Sequence, residues 1–497
     1  MFTREGLCLP FLIGRMPAHE QAEGVRVRKH CEESDRANAR ARTSRRHAST
    51  QALRRKQCRK EKAATQVPQL TDIKCREGEG WNYMINKIIL FEHAVETLGF
   101  FSHELASVFA KKDCQTFFID YHKLDQSMKH VRKFISHGRT ALFTFNFIGL
   151  SQESYCHERD GKSIWETYDL PCFCVMVDHP IYYYEQLNKR IPNLVTFCVD
   201  RQHVEYVHRF HPDIPCYFLP LAGNILPQDW EQIQRQAGEA ERKAAWEDYK
   251  KDQIPYEKRT YDVAFIGNRM MFPKMEDQLK SQTQEYIDFY YEILNDMKHH
   301  PDEPVDATME RFILREIPEA TDAEIASAQH GMLFLELYIR AYFRDKVVKT
   351  LADGGIRVHA FGKNWDQMQL EHPENLVSEG RMITSKDCVE VVRNAKVSLN
   401  VMPHFKDGAH DRIFTAMLNG AVSLTDPSIY LKEILTEGEN TCFYELDRMM
   451  ELPDRVNGIL TNPERAIQIT GQAFSFAGAY HTWENRADIL LSNIQEK

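Results

Sequence analysis

From residue 84 onward, short apolar runs alternate with longer amphipathic stretches, and this alternation constrains the fold more than any other feature of the sequence. Strands separated by helical patterns are typical of parallel βαβ units, whose helices cover both faces of a sheet. The predicted strands of a first series are 85–90, 114–120, 140–146, 172–177, 194–199 and 216–219. Those of a second series are 261–267, 356–362, 375–378, 396–402, 421–425 and 441–444.

A polar, helix-prone stretch, 223–258, separates the two series. We therefore predict an α/β protein with two doubly wound domains that face each other across a cleft. The N-terminal domain with its linker is 84–258, the C-terminal domain is 259–480, and a terminal helix follows at 481–497. A long helical insert, 274–352, interrupts the second series. The cleft is the expected ligand site, because loops at the carboxyl ends of parallel strands converge there.

Residues 1–83 form a basic leader without a helical or strand period. The chain has 63 basic and 72 acidic residues, of which the leader holds 18 and 10, so the rest of the chain is strongly acidic. The leader is a disordered extension, an arm for nucleic acid or anionic membranes, or the translation of sequence upstream of a native start at Met84. The acidic body argues against a nucleic-acid partner, and peripheral membrane association stays open.

Membrane spans and disulfides are not expected from this sequence. No run reaches the roughly 18 apolar residues of a membrane-spanning helix, and the apolar run 7–13 lacks the cleavage region of a secretory signal. The 12 cysteines are irregularly spaced. Cys172 and Cys174 fall on one face of a predicted strand, and no second pair completes a zinc site. We therefore expect free buried thiols in a reducing, cytoplasmic compartment.

The stretch 400–426 is the most informative for chemistry. It reads as a strand, a polar loop with Gly408, a short helix that ends at Gly420, and another strand. A glycine-containing loop before a helix exposes unpaired N–H groups and the positive end of the helix dipole, and both favour a phosphate or diphosphate. Arg412, in the first turn, either adds a bidentate contact to that anion or is a solvated surface charge.

Asp178 and His179 follow the apolar run 172–177, at the carboxyl end of a predicted strand. A carboxylate and an imidazole at that edge are suited to acceptor binding or to general-base catalysis. The sequence Asp-x-Pro is also a common turn signal, so the spacing alone leaves both interpretations open.

Four motifs give the sequence a family resemblance. They are DGAHDRIFTAMLNGAVSLTD at 407–426, FIGNR at 265–269, FGKNW at 361–365 and AYHTWENR at 479–486. The first resembles the donor-binding half of two-domain glycosyltransferases, as in families 1 and 4. The set is more closely similar to the spore-maturation-protein (CgeB-like) type of bacterial glycosyltransferase, whose usual pattern R-x-F-E-A-x-A-x-G has the counterpart RIFTAMLNG.

This resemblance implies a GT-B architecture of two Rossmann-like domains and the transfer of a hexose from a nucleotide-sugar to a hydroxyl of an unidentified glycan, protein or small molecule. It implies no metal and no cofactor, because helix dipoles and basic side chains stabilise the leaving group. The implied donor-binding residues are Gly267, Asn268, Arg269, Gly362, Lys363, Gly408, Arg412 and Thr415. The implied catalytic or acceptor-side residues are Asp178, His179, His404 and Asp407.

One position departs from the family's pattern. Many relatives carry two acidic residues eight apart across this loop and helix, where the sequence has Asp407 and Thr415. A threonine forms hydrogen bonds but supplies no carboxylate. A second hypothesis is therefore a catalytically impaired nucleotide- or nucleotide-sugar-binding protein. A nucleotide-sugar epimerase on the same architecture is a third hypothesis, which the few recognisable cleft acids disfavour.

Overall fold

The computed structural model describes residues 85–495 except 152, 159–160, 237, 272–282 and 404, with side chains as far as residue 492. All of these residues belong to one compact unit. The predicted leader, 1–83, and the proposed start at Met84 lie outside the described residues and stay predictions.

The first sheet has six parallel strands in the order β2-β1-β3-β4-β5-β6. These strands are β1 (Lys87–Glu92), β2 (Gln115–Asp120), β3 (Thr140–Phe145), β4 (Cys172–Met176), β5 (Leu194–Cys198) and β6 (Cys216–Phe218). The helices between them are α1 (Glu96–Lys111), α2 (Leu124–Phe134), α3 (Ile164–Thr167), α4 (Tyr184–Leu187) and α5 (Arg201–Phe210). Two further helices, α6 (Pro227–Gln234) and α7 (Glu239–Lys251), lead to the second sheet.

The second sheet is also six-stranded and parallel, in the order β12-β11-β10-β7-β8-β9. Its strands are β7 (Tyr261–Ile266), β8 (Val358–Phe361), β9 (Leu376–Val377), β10 (Ala395–Asn400), β11 (Val422–Thr425) and β12 (Cys442–Phe443). The insert consists of α8 (Gln284–His299), α9 (Val305–Glu316), α10 (Asp322–Gly331) and α11 (Leu333–Asp353). The later helices are α12 (Ser385–Arg393), α13 (Asp411–Leu418), α14 (Ile429–Ile434), α15 (Leu452–Leu460), α16 (Pro463–Tyr480) and α17 (Trp483–Gln495).

The strand orders confirm the predicted fold class of two doubly wound α/β domains with a helical insert in the second. Every predicted strand is present within two residues of its expected bounds. The order of the second sheet is that of a Rossmann domain, and the chain reverses direction across the sheet between β7 and β10. Ligands of such sheets bind outside the carboxyl ends of the strands at this switch point. The exact domain boundaries at 258 and 480 stay predictions.

The strands form because helices cover both faces of each sheet. All six residues of β3 and all five of β4 are buried, as expected for central parallel strands with near-continuous apolar sequence. Cys172 and Cys174 pack in one cluster on the same face, and burial raises the pKa of both thiols. The eight cysteines in the described part of the chain are all free. No helix among the described residues is long and apolar enough to cross a membrane.

The C-terminal helix α17 crosses back to the first domain and packs on α1. Trp483 is buried against Phe101 of α1 with 5.1 Å between ring centroids. Its indole N–H donates to Asn224 Oδ1 at 2.9 Å. The guanidinium of Arg486 donates to the carbonyl of Leu221 at 3.2 Å. These contacts fix the chain after β6 against the C-terminal helices.

A buried carboxyl group on α1 predicts a pH-dependent stability. Glu104 is 4% exposed, and burial, aided by Glu231, raises its pKa to about 8. Because the folded state holds this proton more tightly than the unfolded state, the stability from this group is present at low pH and is lost as the pH rises from about 5 to 8. We expect the free energy of unfolding to fall by about 3 kcal/mol across that range.

Glu104→Gln is expected to remove this pH dependence and to raise stability at pH 8, because the amide needs no proton. Denaturant unfolding at pH 5 and pH 8 measures both effects. Glu231→Gln is the control, and it should weaken the dependence without abolishing it. If the free energy of unfolding changed equally between pH 5 and pH 8 in the wild-type protein and in Glu104→Gln, this prediction would be wrong.

Candidate functional site

The loops after β7 and β8 lie side by side at the carboxyl edge of the second sheet. A Cβ on Gly362 would lie 2.6 Å from the carbonyl carbon of Gly267, so only glycine permits this approach. The N–H of Lys363 donates to Asn268 Oδ1 at 2.9 Å, and the N–H of Arg269 donates to the carbonyl of Lys363 at 3.0 Å. The structure thus brings together five of the residues that the resemblance assigned to donor binding.

The side chains of these two loops point in different directions. Arg269 pairs with Asp345 of α11, with Nε to Oδ2 at 2.9 Å, whereas Lys363 is exposed. Arg269 and Asp345 line a cavity of about 280 Å³ that is also bordered by Met271, Lys298 and Tyr342. Burial raises the pKa of Asp345, although Arg269 opposes that rise. The charge of Arg269 is therefore partly neutralised in the present arrangement.

Three arginines gather at the switch point. Arg340 and Arg344 are one turn apart on α11, and Arg412 is the second residue of α13. Burial and the positive charges of Arg412 and Arg340 lower the pKa of Arg344 to about 9. Among the described residues, Arg340 Nε, Arg344 Nε and Arg412 Nη1 are buried and find no hydrogen-bond partner. Unpartnered guanidinium nitrogens that repel one another form a site suited to an anion.

A neutral histidine lies within this cluster. His410 is the N-cap of α13, and its Nδ1 lies 3.0 Å from Asn400 Oδ1 at the end of β10. Since the amide oxygen only accepts, Nδ1 carries the proton. Burial, then Arg412, Arg344 and Arg340, holds the pKa of His410 well below its usual range. The imidazole therefore adds no positive charge but orients the loop before α13.

The loop 405–410 is bound to the first domain. Gly408 forms an isolated antiparallel bridge with Asp200, just after β5. The Asp200 carboxylate accepts the N–H of Asp407 at 2.8 Å, and Arg201 Nη2 lies 3.0 Å from Asp407 Oδ1. Burial raises the pKa of Asp200 to about 7 and that of Asp407 to about 6, and Arg201 limits the second shift. Asp407 and Gly408 thus hold the carboxyl edges of the two sheets together.

Asp178 and His179 lie at the carboxyl end of β4, where the insert packs over them. Asp178 is 36% exposed on its side chain, accepts from Asn146 Nδ2 at 3.1 Å, and lies 4.0 Å from Arg340. His179 is 6% exposed, and its Nε2 lies 3.5 Å from Asp306 of α9. Of the two, Asp178 is partly exposed and close to the arginine cluster, whereas His179 is enclosed.

Thr415 is 5% exposed, and its hydroxyl oxygen accepts the backbone N–H of Asn224 at 3.0 Å. The Asn224 side-chain amide also donates to this oxygen at 3.2 Å and to Asp411 at 3.1 Å. Thr415 thus contacts the segment after β6. His404 lies outside the described residues. The roles assigned to all these residues stay predictions.

The sequence interpretation missed Arg340, Arg344 and His410. The two arginines lie four residues apart on the mostly apolar helix α11, so both are on one face of that helix. Two charges on one face of an apolar helix are the signal in the sequence that could have identified them. Beside this cluster, the Tyr182 hydroxyl donates to Glu336 and accepts from Arg340 at 2.6 Å. Glu336 is 3% exposed, and burial raises the pKa of its carboxyl group.

Residues 340–492 match the model of a family described as "Glycosyl transferase-like". The matched stretch contains Arg340, Arg344 and Arg412, together with β8 to β12. The C-terminal part of this chain is therefore similar in sequence to that family. No curated protein sequence matches the chain.

Three solved structures are similar to the chain at low identity. HepE of Anabaena in complex with UDP-glucose is 8% identical over 83% of this chain and 100% of its own, with a TM-score of 0.45. A T4 phage BGT mutant in complex with UDP-glucose is 11% identical over 82% of this chain and 99% of its own, with a TM-score of 0.44. Sucrose-phosphate synthase from Thermosynechococcus elongatus is 10% identical over 83% of this chain and 98% of its own, with a TM-score of 0.41.

Proposed function

We propose that this protein is a glycosyltransferase that moves a sugar from a nucleotide-sugar donor to a hydroxyl acceptor. The observation that carries the proposal is the cluster of Arg340, Arg344 and Arg412. Each has a buried nitrogen without a hydrogen-bond partner among the described residues, and all three fall in the stretch that matches the glycosyl transferase-like family. A diphosphate supplies oxygens that accept hydrogen bonds from these nitrogens, and its negative charge offsets the positive charges of the guanidinium groups. The family match links this anion site to sugar transfer.

In the proposed reaction, negative charge develops on the departing diphosphate as the bond to the sugar breaks. Arg344 and Arg412 stabilise that charge in a partly dehydrated site, with the N-terminus of α13 beside them. No side chain needs to move a proton to the leaving group, because these positive groups are already oriented. A metal ion is not required for this step, and we propose that donor cleavage is metal-independent and cofactor-free.

Asp178 is the proposed base or binding group for the acceptor hydroxyl. Its side chain is 36% exposed and lies 4.0 Å from Arg340, and a carboxylate is a suitable group to accept the proton of a hydroxyl. His179 faces Asp306 and is better placed to support this loop than to contact an acceptor. Asp178→Asn is expected to lower kcat by about 100-fold with a smaller effect on donor binding, as general-base catalysis contributes roughly that much. An acceptor-dependent rate assay measures the effect, and an unchanged kcat would contradict the role.

Several finer features belong to the same proposal. We propose a hexosyltransferase of the spore-maturation-protein type, of bacterial origin, that works in the cytoplasm without a nucleic-acid partner. The free thiols in the described part of the chain support a reducing compartment. Peripheral membrane association stays a hypothesis, to be tested by co-sedimentation with anionic vesicles.

Thermal unfolding with a panel of nucleoside diphosphates tests the donor site. A ligand bound only by the folded state at about 100 times its Kd adds about 2.7 kcal/mol of stability. We expect one diphosphate to raise Tm in the wild-type protein but not in Arg412→Ala. Arg381→Ala is the matched control, because Arg381 lies in the same domain and is 66% exposed beside Glu379. If no diphosphate raises Tm in the wild-type protein, the proposal fails.

A second candidate function is a binding protein with impaired catalysis, and Thr415 favours it. The Thr415 hydroxyl oxygen accepts two hydrogen bonds from Asn224 and is buried, so it offers little to a ribose. Calorimetry with intact nucleotide-sugars, followed by product analysis with added acceptors, separates the candidates. Tight donor binding without turnover supports the binding protein, whereas turnover supports the transferase.

A further inference from the structure

A histidine–aspartate cluster lies at the carboxyl edge of the first sheet, apart from the arginine cluster. Among the described residues, His93, Asp120 and His122 form the group whose possible metal-ligand atoms all lie within 4.8 Å of one another. His93 follows β1, Asp120 ends β2, and His122 lies in the turn after β2. Parallel pairing of β1 with β2 sets Glu92 opposite Asp120, so the next residue, His93, reaches the neighbouring strand.

The local backbone holds this cluster together. Asp120 Oδ1 accepts the backbone N–H of His122 at 2.9 Å and lies 2.7 Å from His93 Nδ1. The imidazole rings of His93 and His122 stack with 4.2 Å between centroids. His93 has a φ of 62°, in the left-handed region that disfavours a residue with a Cβ. Such backbone strain is concentrated at functional sites, and here it turns the imidazole toward Asp120.

We propose that His93, Asp120 and His122 bind a divalent transition-metal ion, with Zn²⁺ as the favoured ion. Two imidazoles and one carboxylate form a common open zinc ligand set, in which a fourth position stays available for water or another oxygen ligand. Zinc–ligand bonds of about 2.0–2.2 Å in tetrahedral geometry hold two ligand atoms roughly 3.4 Å apart. His93 Nδ1 and Asp120 Oδ1, now 2.7 Å apart, must therefore separate slightly to admit the ion. Both histidines are exposed.

The site lies beside a contact between the two domains. Glu96, three residues after His93, accepts the N–H of Ser385 at 2.8 Å at the start of α12 in the second domain. A metal ion held by these three side chains would keep a fourth position open. The ligand class that such a position takes is an oxygen anion or a hydroxyl. The site does not depend on the transferase proposal, because it uses none of the proposed donor residues.

Calorimetric titration of the full chain with Zn²⁺, after treatment with a chelator and its removal, tests the site. We expect His93→Ala, His122→Ala and Asp120→Asn each to weaken one binding event by at least 10- to 100-fold, the range seen when only a supporting residue is lost. His103→Ala is the matched control. His103 is 55% exposed, pairs with Glu92 at 2.9 Å and stacks on Phe118 at 4.2 Å, and so copies the His93 arrangement without a third ligand.

Zinc binding that is unchanged in His122→Ala and Asp120→Asn would overturn the proposal, whatever other residues bind the ion. Equal weakening in His103→Ala would overturn it as well. As a second readout, Zn²⁺ should shift the histidine side-chain NMR signals of His93 and His122 but not that of His103. Because His93 and His122 are exposed, His93→Ala and His122→Ala should keep the wild-type Tm without metal, and this is checked in the same samples.

Discussion

Arg412→Ala is expected to lower kcat/KM for the nucleotide-sugar donor by about 100- to 1000-fold, because it removes a preorganised positive group from the departing diphosphate. Arg412 Nη1 is buried without a hydrogen-bond partner among the described residues, so the substitution costs no internal hydrogen bond at this nitrogen. The fold should therefore survive. The substitution also removes the repulsion from Arg412 that lowers the pKa of Arg344. Steady-state kinetics at saturating acceptor measure the change.

The same substitution at Arg344 should have a comparable effect, and the double variant should lose less than the product of the two. Groups that act together on one anion give strongly non-additive losses. Arg381→Ala, on the exposed surface of the same domain, should keep the wild-type kcat/KM. A double variant whose loss equals that product would mean that the two arginines act on separate groups.

Gly408→Ala is expected to separate the two domains and to lower stability by about 3 kcal/mol. A Cβ on Gly408 would lie 2.7 Å from the Cα of Asp200, and backbone atoms cannot yield as a flexible side chain does. The bridge between Gly408 and Asp200 and the hydrogen bond from Asp407 to Asp200 would be lost together. Donor affinity should fall as well, because this loop precedes α13 and Arg412.

Gly471→Ala supplies the control for that prediction. Gly471 lies within α16, and nothing lies within 4 Å of a Cβ placed there, so alanine should be neutral or slightly stabilising. Denaturant unfolding of both variants measures the stability, and small-angle scattering measures the separation of the domains. Equal stability of Gly408→Ala and Gly471→Ala would contradict the proposed contact between the carboxyl edges.

The strand positions could be predicted because each sheet is covered on both faces. Continuous apolar runs such as 172–177 and 194–199, with turn residues at their ends, are typical of strands buried on both faces. The order of the strands in each sheet could not be predicted in this way, because it depends on the edge of the sheet to which each crossover connection adds the next strand. The sequence predicts a terminal helix at 481–497, but not that this helix packs on α1. The surface on which a helix packs depends on the tertiary structure, which here places Trp483 in the core of the first domain.

The candidate site was predictable where function requires backbone geometry. Gly362 and Gly408 each allow a close approach of chain segments, and such glycines stand out in a sequence. Arg340 and Arg344 were not singled out because a charged residue on a helix is usually solvated. The fact that they face Arg412 follows only from the packing of α11 against the second sheet. Thr415 took an unexpected position for the same reason, since Asn224 comes from the first domain.

The release of a nucleoside diphosphate from a panel of nucleotide-sugars tests the central claim most directly. The account predicts that the wild-type protein releases the diphosphate from at least one donor, that an acceptor hydroxyl accelerates the release, and that Arg344→Ala and Arg412→Ala abolish it. It would be contradicted if the wild-type protein released no diphosphate from any donor and bound none of them.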